Sequence, residues 1–550
     1  MRFKILLITL VTMLMILGGC GGGGSSSGSP TNIPISPDGS GFVNISPTNI
    51  PIAPDSSGFV NISGTITYDK VPANSNYIGL DYNNITQEAA KAVQVDAVNA
   101  SSQIIASTTT DASGNYVLSV PVNTQLKIRV SAKMLKAGAP SWDVKVVDNT
   151  NSDALYVMEG SLVSSGTTNS QRNLNASSGW DGSSYTSTRV AAPFAILDNA
   201  YKSIQKVFTA NPNTVFPPLL MNWSKDNVSS IDYDPTSGQI ITSHYSDGNL
   251  FILGDANIDT DEYDDHVVAH EWGHYYEDKL SRSDSIGGEH GGEDILDIRV
   301  AFSEGWGNAF SGMALENPVY FDTYDKDQAK GFNFDVESGT SNVKGWYSES
   351  SIERILYDLY DADDDGSDTL NLGFAPIHQV FIGAQKTTPA FTSIFTFITA
   401  LKNENSGDKA VIDSIVSGES IAPIKDIYGT GRTNLPLETP NYENLVVGGT
   451  VNVCPTYTHG TYNKLGNRKY IRFDIGTAGN YTITVRKSNN SATVSDPDFL
   501  LYNVSLLHAA ESGTANSEIQ TVYLSNASYK LDISDYNNVP NTCFDVTVNK

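Results

Sequence analysis

The sequence predicts a multidomain chain, with a central α+β domain flanked by N-terminal and C-terminal all-β sandwich domains. Three observations predict it. At 550 residues the chain is too long for one hydrophobic core. Between residues 64 and 160, and again between 439 and 550, short alternating runs stand between turn residues, as in "GNYVLSVPVNTQLKIRVSAKM" and "KYIRFDIGTAGNYTITVRK"; this is the period of half-buried strands. Between 188 and 434 apolar residues fall instead at i, i+3 and i+4, as in "APFAILDNAYKSIQKVF", "ILDIRVAFSEGWGNAFSGMAL" and "SESSIERILYDLYD", with strand-like "FPPLLMNW" and "NLFILG" upstream of the richest helix.

The first twenty residues, "MRFKILLITLVTMLMILGGC", carry Arg2 and Lys4 and then an apolar run from Ile5 to Leu17. That run falls short of the roughly 20 residues a membrane span needs and fits a secretory signal. Its end, Leu17-Gly18-Gly19-Cys20, resembles the lipobox of bacterial lipoproteins. The resemblance implies that Cys20 is the lipidated mature N-terminus, anchored in the cell envelope and facing outward. Residues 21–63 read as a tether: "GGGGSSSGSP", then a 17-residue tandem duplication, "SPTNIPISPDGSGFVNI" and "SPTNIPIAPDSSGFVNI", too rich in Pro, Ser and Gly to bury a core. Residues 161–187, dense in Gly, Ser and Asn, read as a second linker.

The chain has 34 basic and 61 acidic residues, a net charge of −27. Such an exterior argues against nucleic acid and anionic lipid as partners; it reads as a solvated surface, and a monomer is expected. Of three cysteines, Cys454 and Cys543 remain once Cys20 is lipidated, and an even pair in an oxidising compartment predicts one disulfide.

The chemistry concentrates in "HVVAHEWGHYY", residues 266–276, with three of the eight histidines. His270 and His274, four apart on a helix, present imidazoles to one ion. Zinc suits such ligands, and Glu271 beside the first of them stands as general base. His266 extends the stripe, but at a 1.5 Å rise it lies about 12 Å from His274, too far to share one zinc; Val267 follows it where a glutamate is needed. His266 is therefore expected in a supporting or surface position. Asp259 and Glu262, three apart, predict a capping box for this helix. A third ligand is required, and Glu304 in "AFSEGWGNAF" offers one; Glu289, His290 and Glu293 of the glycine-rich "GGEHGGED" are rivals, better read as a flexible rim. The "DADDDGSD" turn spaces Asp361, Asp363 and Asp365 like the head of a calcium loop, yet Leu372 stands where the bidentate Glu belongs. Calcium and a plain acidic turn both remain open there.

HEWGH followed some thirty residues on by "SEGWGN" resembles the gluzincin metallopeptidases, thermolysin-like and fungalysin-like enzymes among them. The resemblance implies a zincin-type metallopeptidase domain over 188–434, with Glu304 as third zinc ligand and Asn308 where the family has an aspartate orienting a ligand histidine. Asparagine accepts the same imidazole N–H but brings no charge. The family also uses a donor to the oxyanion, and "GWYSESSIERILYDLYD" places Tyr347 at that position; His378 lies farther off. "TTTDASGNYVLSVP" resembles carboxypeptidase regulatory-like sandwiches (64–160). Residues 439–550 resemble bacterial pre-peptidase C-terminal domains, which would place Cys454 and Cys543 as a staple between first and last strands. The expected activity is zinc-dependent hydrolysis of protein or peptide substrates. The alternatives are a non-catalytic adhesion lipoprotein with a vestigial HEWGH helix and a zinc hydrolase of non-peptide substrates.

Overall fold

The computed structural model describes residues 17–19, 58–361, 370–434, 441–488 and 493–550. Cys20, Asp363 and Asp365, and with them the proposed lipidation site and most of the calcium-loop motif, lie outside the described residues.

The N-terminal β region begins with β1 (Phe59–Lys70), followed by β2 (Val93–Asn99), β3 (Ile104–Thr109), β4 (Asn115–Pro121), β5 (Gln125–Lys136) and β6 (Trp142–Asp148). Alternation drives these strands: in β1 Val60, Ile62, Ile66 and Tyr68 are buried between exposed or half-buried neighbours. β1 pairs antiparallel with β4, Ile62 opposite Leu118. The region then continues through α1 (Ala192–Ala210), β7 (Leu219–Trp223), β8 (His244–Ser246) and β9 (Asn249–Ile252).

Here the structure corrects the domain division. One mixed sheet runs β8-β9-β7-β6-β5-β2-β3, so strands from both sides of residues 161–187 share hydrogen bonds. β7 lies parallel to β6, Leu219 opposite Val144, and a single hydrophobic core extends from Val60 to the central helices. The stretch expected as a linker is built in as well. Ser170–Gln171 and Leu174–Ala176 add parallel to β1, and the Asn169 and Asn173 side chains accept from the Asn61 and Thr65 backbone N–H groups. Short polar side chains, read as linker composition, here satisfy a strand edge.

The central region then places α2 (Asp265–Leu280), β10 (Gly288–His290), α3 (Ile298–Leu315), β11 (Val319–Tyr324), β12 (Lys330–Asp335) and α4 (Glu349–Asp358) in order. α3 is buried along nearly its whole length and packs against both α2 and α4. Gly307 permits the closest approach: a Cβ there would stand 2.7 Å from the His270 ring. The capping box is absent. α2 starts later, at Asp265 after Asp264, because Glu262 is buried and paired with Arg189 at 2.8 Å and the Asp264 carboxylate accepts from Thr323 N–H at 2.9 Å. Leu17–Gly19 pairs with β10. No helix among the described residues is long and apolar enough to cross a membrane.

The C-terminal region is a two-sheet sandwich with its own core of Ile471, Phe473, Ile483, Val485, Phe499, Leu531 and Phe544. The region's first strand, Tyr442–Asn444, lies in one sheet, while its second and last strands, Thr450–Val453 and Phe544–Asn549, pair antiparallel in the other. Cys454 and Cys543 at their ends form the disulfide. The sandwich docks on the central region through Arg299, fully buried and bonded to Asp532 at 2.9 Å.

Candidate metal centre

α2 and α3 carry the expected residues to one point. His270, His274 and Glu304 each offer a ligand atom, all within 4.8 Å of one another and all three buried. His270 Nε2 lies 3.0 Å from His274 Nε2. Glu304 Oε2 is 3.1 Å from His274 Nε2 and 3.3 Å from His270 Nε2. Ligands about 2.0–2.1 Å from a tetrahedral ion stand roughly 3.3 Å apart, so the spacing fits zinc.

Hydrogen bonding fixes the tautomers. Asn308 Nδ2 donates to Glu353 Oε2 at 2.8 Å, which leaves Asn308 Oδ1 as acceptor for His270 Nδ1–H at 2.8 Å. His274 Nδ1 meets Ser303 Oγ at 3.2 Å, and that hydroxyl donates to Glu277 Oε2 at 2.7 Å. With His270 Nδ1 protonated, its Nε2 presents a lone pair toward His274 Nε2. The two nitrogens face each other across 3.0 Å with a carboxylate alongside, an arrangement that a bound cation would satisfy in place of a proton. Glu304 is held well below the usual carboxylate range by the neighbouring imidazoles, against the opposing effect of burial.

Glu271 stands beside the cluster. Burial, with smaller opposing and reinforcing charge effects, pushes it up to about 8. Its Oε2 is buried without a hydrogen-bond partner, and the nearby Tyr245 backbone of β8 opposes the rise. β8 forms the end of the large sheet.

The structure brings His290 beside Glu304 and turns the Tyr347 hydroxyl to a backbone carbonyl. The Tyr347 hydroxyl donates to the Lys344 carbonyl at 3.0 Å, with its ring edge-on to Trp346. His290, expected on a flexible rim, is only 3% exposed. Its Nε2 lies 3.3 Å from Glu304 Oε2 and its Nδ1 2.6 Å from Glu349 Oε2. Burial disfavours its charge, yet Glu304 and Glu349 together raise it well above the ordinary imidazole value. His266 is buried, its Nε2–H donating to the Asn317 carbonyl at 3.0 Å. His378 bonds the Tyr276 hydroxyl at 2.8 Å. Glu293 Oε1 accepts from the Asn342 N–H. Asp361 follows α4, and its backbone N–H donates to the Tyr357 carbonyl.

Sequence reasoning missed Ser303, Glu277, Glu349 and Glu353. Glu277, three residues after His274, carried a faint signal; Glu349 and Glu353 come from a helix whose place beside α3 no local pattern encodes. It also missed a second acidic group, Asp259, Asp261 and Asp322, with ligand atoms within 4.8 Å. Burial raises all three, Asp261 to about 6; the repeated Asp of "DTDEYDD" was the available sign.

No family model matches the chain, and no curated protein matches it. Among solved structures, it is similar to the pre-peptidase C-terminal domain of a collagenase from Bacillus anthracis, at 12% identity over 21% of this chain and 99% of that one, with a TM-score of 0.17. It is also similar to the precursor of protealysin, a metalloproteinase from Serratia proteamaculans, at 10% identity over 53% of this chain and 89% of that one, with a TM-score of 0.30.

Proposed function

We propose that the chain is a zinc-dependent endopeptidase, tethered to the cell envelope through Cys20 and acting on extracellular protein or peptide substrates. The observation that carries this reading is the convergence of two imidazole nitrogens and one carboxylate at tetrahedral spacing, with Glu271 adjacent. His270, His274 and Glu304 would hold the ion, in a zincin-type arrangement of two helices.

A zinc ion bound there supplies Lewis acidity to a substrate carbonyl and to a water molecule. The protein's own groups do the rest. Glu271 takes a proton from the attacking water and delivers it to the departing amine. His290, with Glu349 fixing its Nδ1, presents Nε2–H to the carbonyl oxygen as negative charge develops. This assigns to His290 the role expected of Tyr347. An extended peptide is accommodated as an added strand along the edge of β8, whose Tyr245 borders Glu271.

The test is zinc content together with casein hydrolysis, with and without chelator. Stoichiometric zinc and chelator-sensitive cleavage support the reading. Zinc without cleavage of any protein points to a non-peptide substrate, and absence of both to an adhesion role.

A further inference from the structure

His290 sits in "GGEHGG", where four glycines make the backbone costly to hold in one conformation. Glu349 fixes one end of the side chain; the backbone needs its own restraint. Besides the pairing of β10 with Leu17–Gly19, restraint comes from the C-terminal sandwich. Asn463, 2% exposed, donates through Nδ2 to the Gly287 carbonyl at 3.0 Å and the Glu289 carbonyl at 3.1 Å. Lys464 Nζ donates to the same Glu289 carbonyl at 2.7 Å and pairs with Asp294 at 3.3 Å. Beyond the histidine, Asp297 N–H donates to the Asn463 carbonyl at 2.8 Å and Leu465 N–H to the Ile295 carbonyl at 2.9 Å. Tyr462 closes over Gly288, where φ is +103° and a Cβ would lie 2.5 Å from the tyrosine ring. Both flanks of His290 are thus tied to one short run, residues 462–465.

We propose that Asn463 and Lys464 are positioning residues for His290, so that the C-terminal sandwich is a working part of the reaction centre. The proposal rests on the reading of His290 as the carbonyl-oxygen donor. The sandwich is docked independently by Arg299 on Asp532 and by Tyr470 on Asp297, so the two side-chain clamps can be removed without undocking it. A donor misplaced by about 1 Å loses on the order of 10²-fold in rate, and a loosened loop spends only part of its time misplaced.

The experiment uses the full chain with Asn463→Ala and Lys464→Met, each alone and combined with His290→Gln. Expected for each single variant is a fall in kcat of about tenfold, with KM and zinc content unchanged and faster amide exchange across residues 286–290. In the His290→Gln background the same substitutions should cost nothing further, because the imidazole they position is gone. If Asn463→Ala does not fold, Lys464→Met, which keeps the side-chain stem, carries the test. Unchanged kcat and unchanged exchange in the clamp variants overturn the proposal, as does an equal loss in the His290→Gln background. A His290→Leu enzyme, which keeps no donor there, with wild-type turnover overturns the donor reading instead, a result the clamp variants cannot mimic.

Discussion

Asn308 donates its side-chain N–H to Glu353 across 2.8 Å, and that one bond decides which end of the amide faces His270. The amide cannot flip without leaving its N–H groups against an imidazole N–H. What Glu353 contributes is an acceptor, whatever its charge; burial, reinforced by Glu349, pushes it up to about 8. Glu353→Leu should therefore weaken zinc binding by about 10–100-fold, measured by chelator competition. Glu353→Gln, which keeps an acceptor oxygen, should bind zinc nearly as the wild type does.

The ligand set and the base separate cleanly. His274→Ala should lose stoichiometric zinc by metal analysis. Glu271→Gln should retain zinc and lose turnover by at least about 10²-fold, since proton transfer of this kind contributes on the order of 10²–10⁴. A fully active Glu271→Gln enzyme would remove the proposed mechanism.

Tyr347 and His290 make opposite forecasts. The Tyr347 hydroxyl is spent on the Lys344 carbonyl, so Tyr347→Phe should turn over within a few-fold of wild type. His290→Leu should cost about 10²–10³ in kcat with little change in KM. The reverse ordering in steady-state kinetics would restore the tyrosine as donor.

His266 makes stability depend on acid. Burial depresses it to about 4, with smaller effects from Asp265, Lys70 and Lys202. An unfolded histidine takes its proton near pH 6.5. Between pH 6.5 and about 4 the unfolded state binds a proton the folded state refuses, so stability falls as pH falls, by up to about 1.4 kcal/mol per unit. His266→Phe should flatten that slope by about one proton in urea unfolding at pH 7, 6 and 5. An identical slope in the variant would assign the acid lability to other groups.

Membrane attachment is tested at Cys20. Cys20→Ser should move the mature protein from the membrane fraction to the soluble one. Unchanged fractionation would dismiss lipidation as the anchor.

Much of the site was legible because it is written at helical spacing: His270 and His274 on one face of α2 and Glu304 on α3 need only two helices brought side by side. The strands at Leu219–Trp223 and Asn249–Ile252 and the helix at Ala192–Ala210 were readable from period alone. What stayed hidden depends on long-range contact. The β6–β7 pairing joins residues 75 positions apart in sequence, and nothing local announces it. His290 looked mobile because its neighbours are glycines; the groups that immobilise it, Glu349 and Asn463, lie 59 and 173 positions away. The capping pattern at Asp259 and Glu262 was overruled when Glu262 found Arg189.

The sheet that runs unbroken from β3 to β8 also sets where the polypeptide can be cut for laboratory use. A fragment starting near residue 188, the boundary composition favours, would discard β2, β3, β5 and β6 and leave β7 with a bare hydrogen-bonding edge and α1 without the strands it packs against. Such an edge recruits other chains, so that fragment should precipitate, whereas one beginning at residue 58 should remain dispersed.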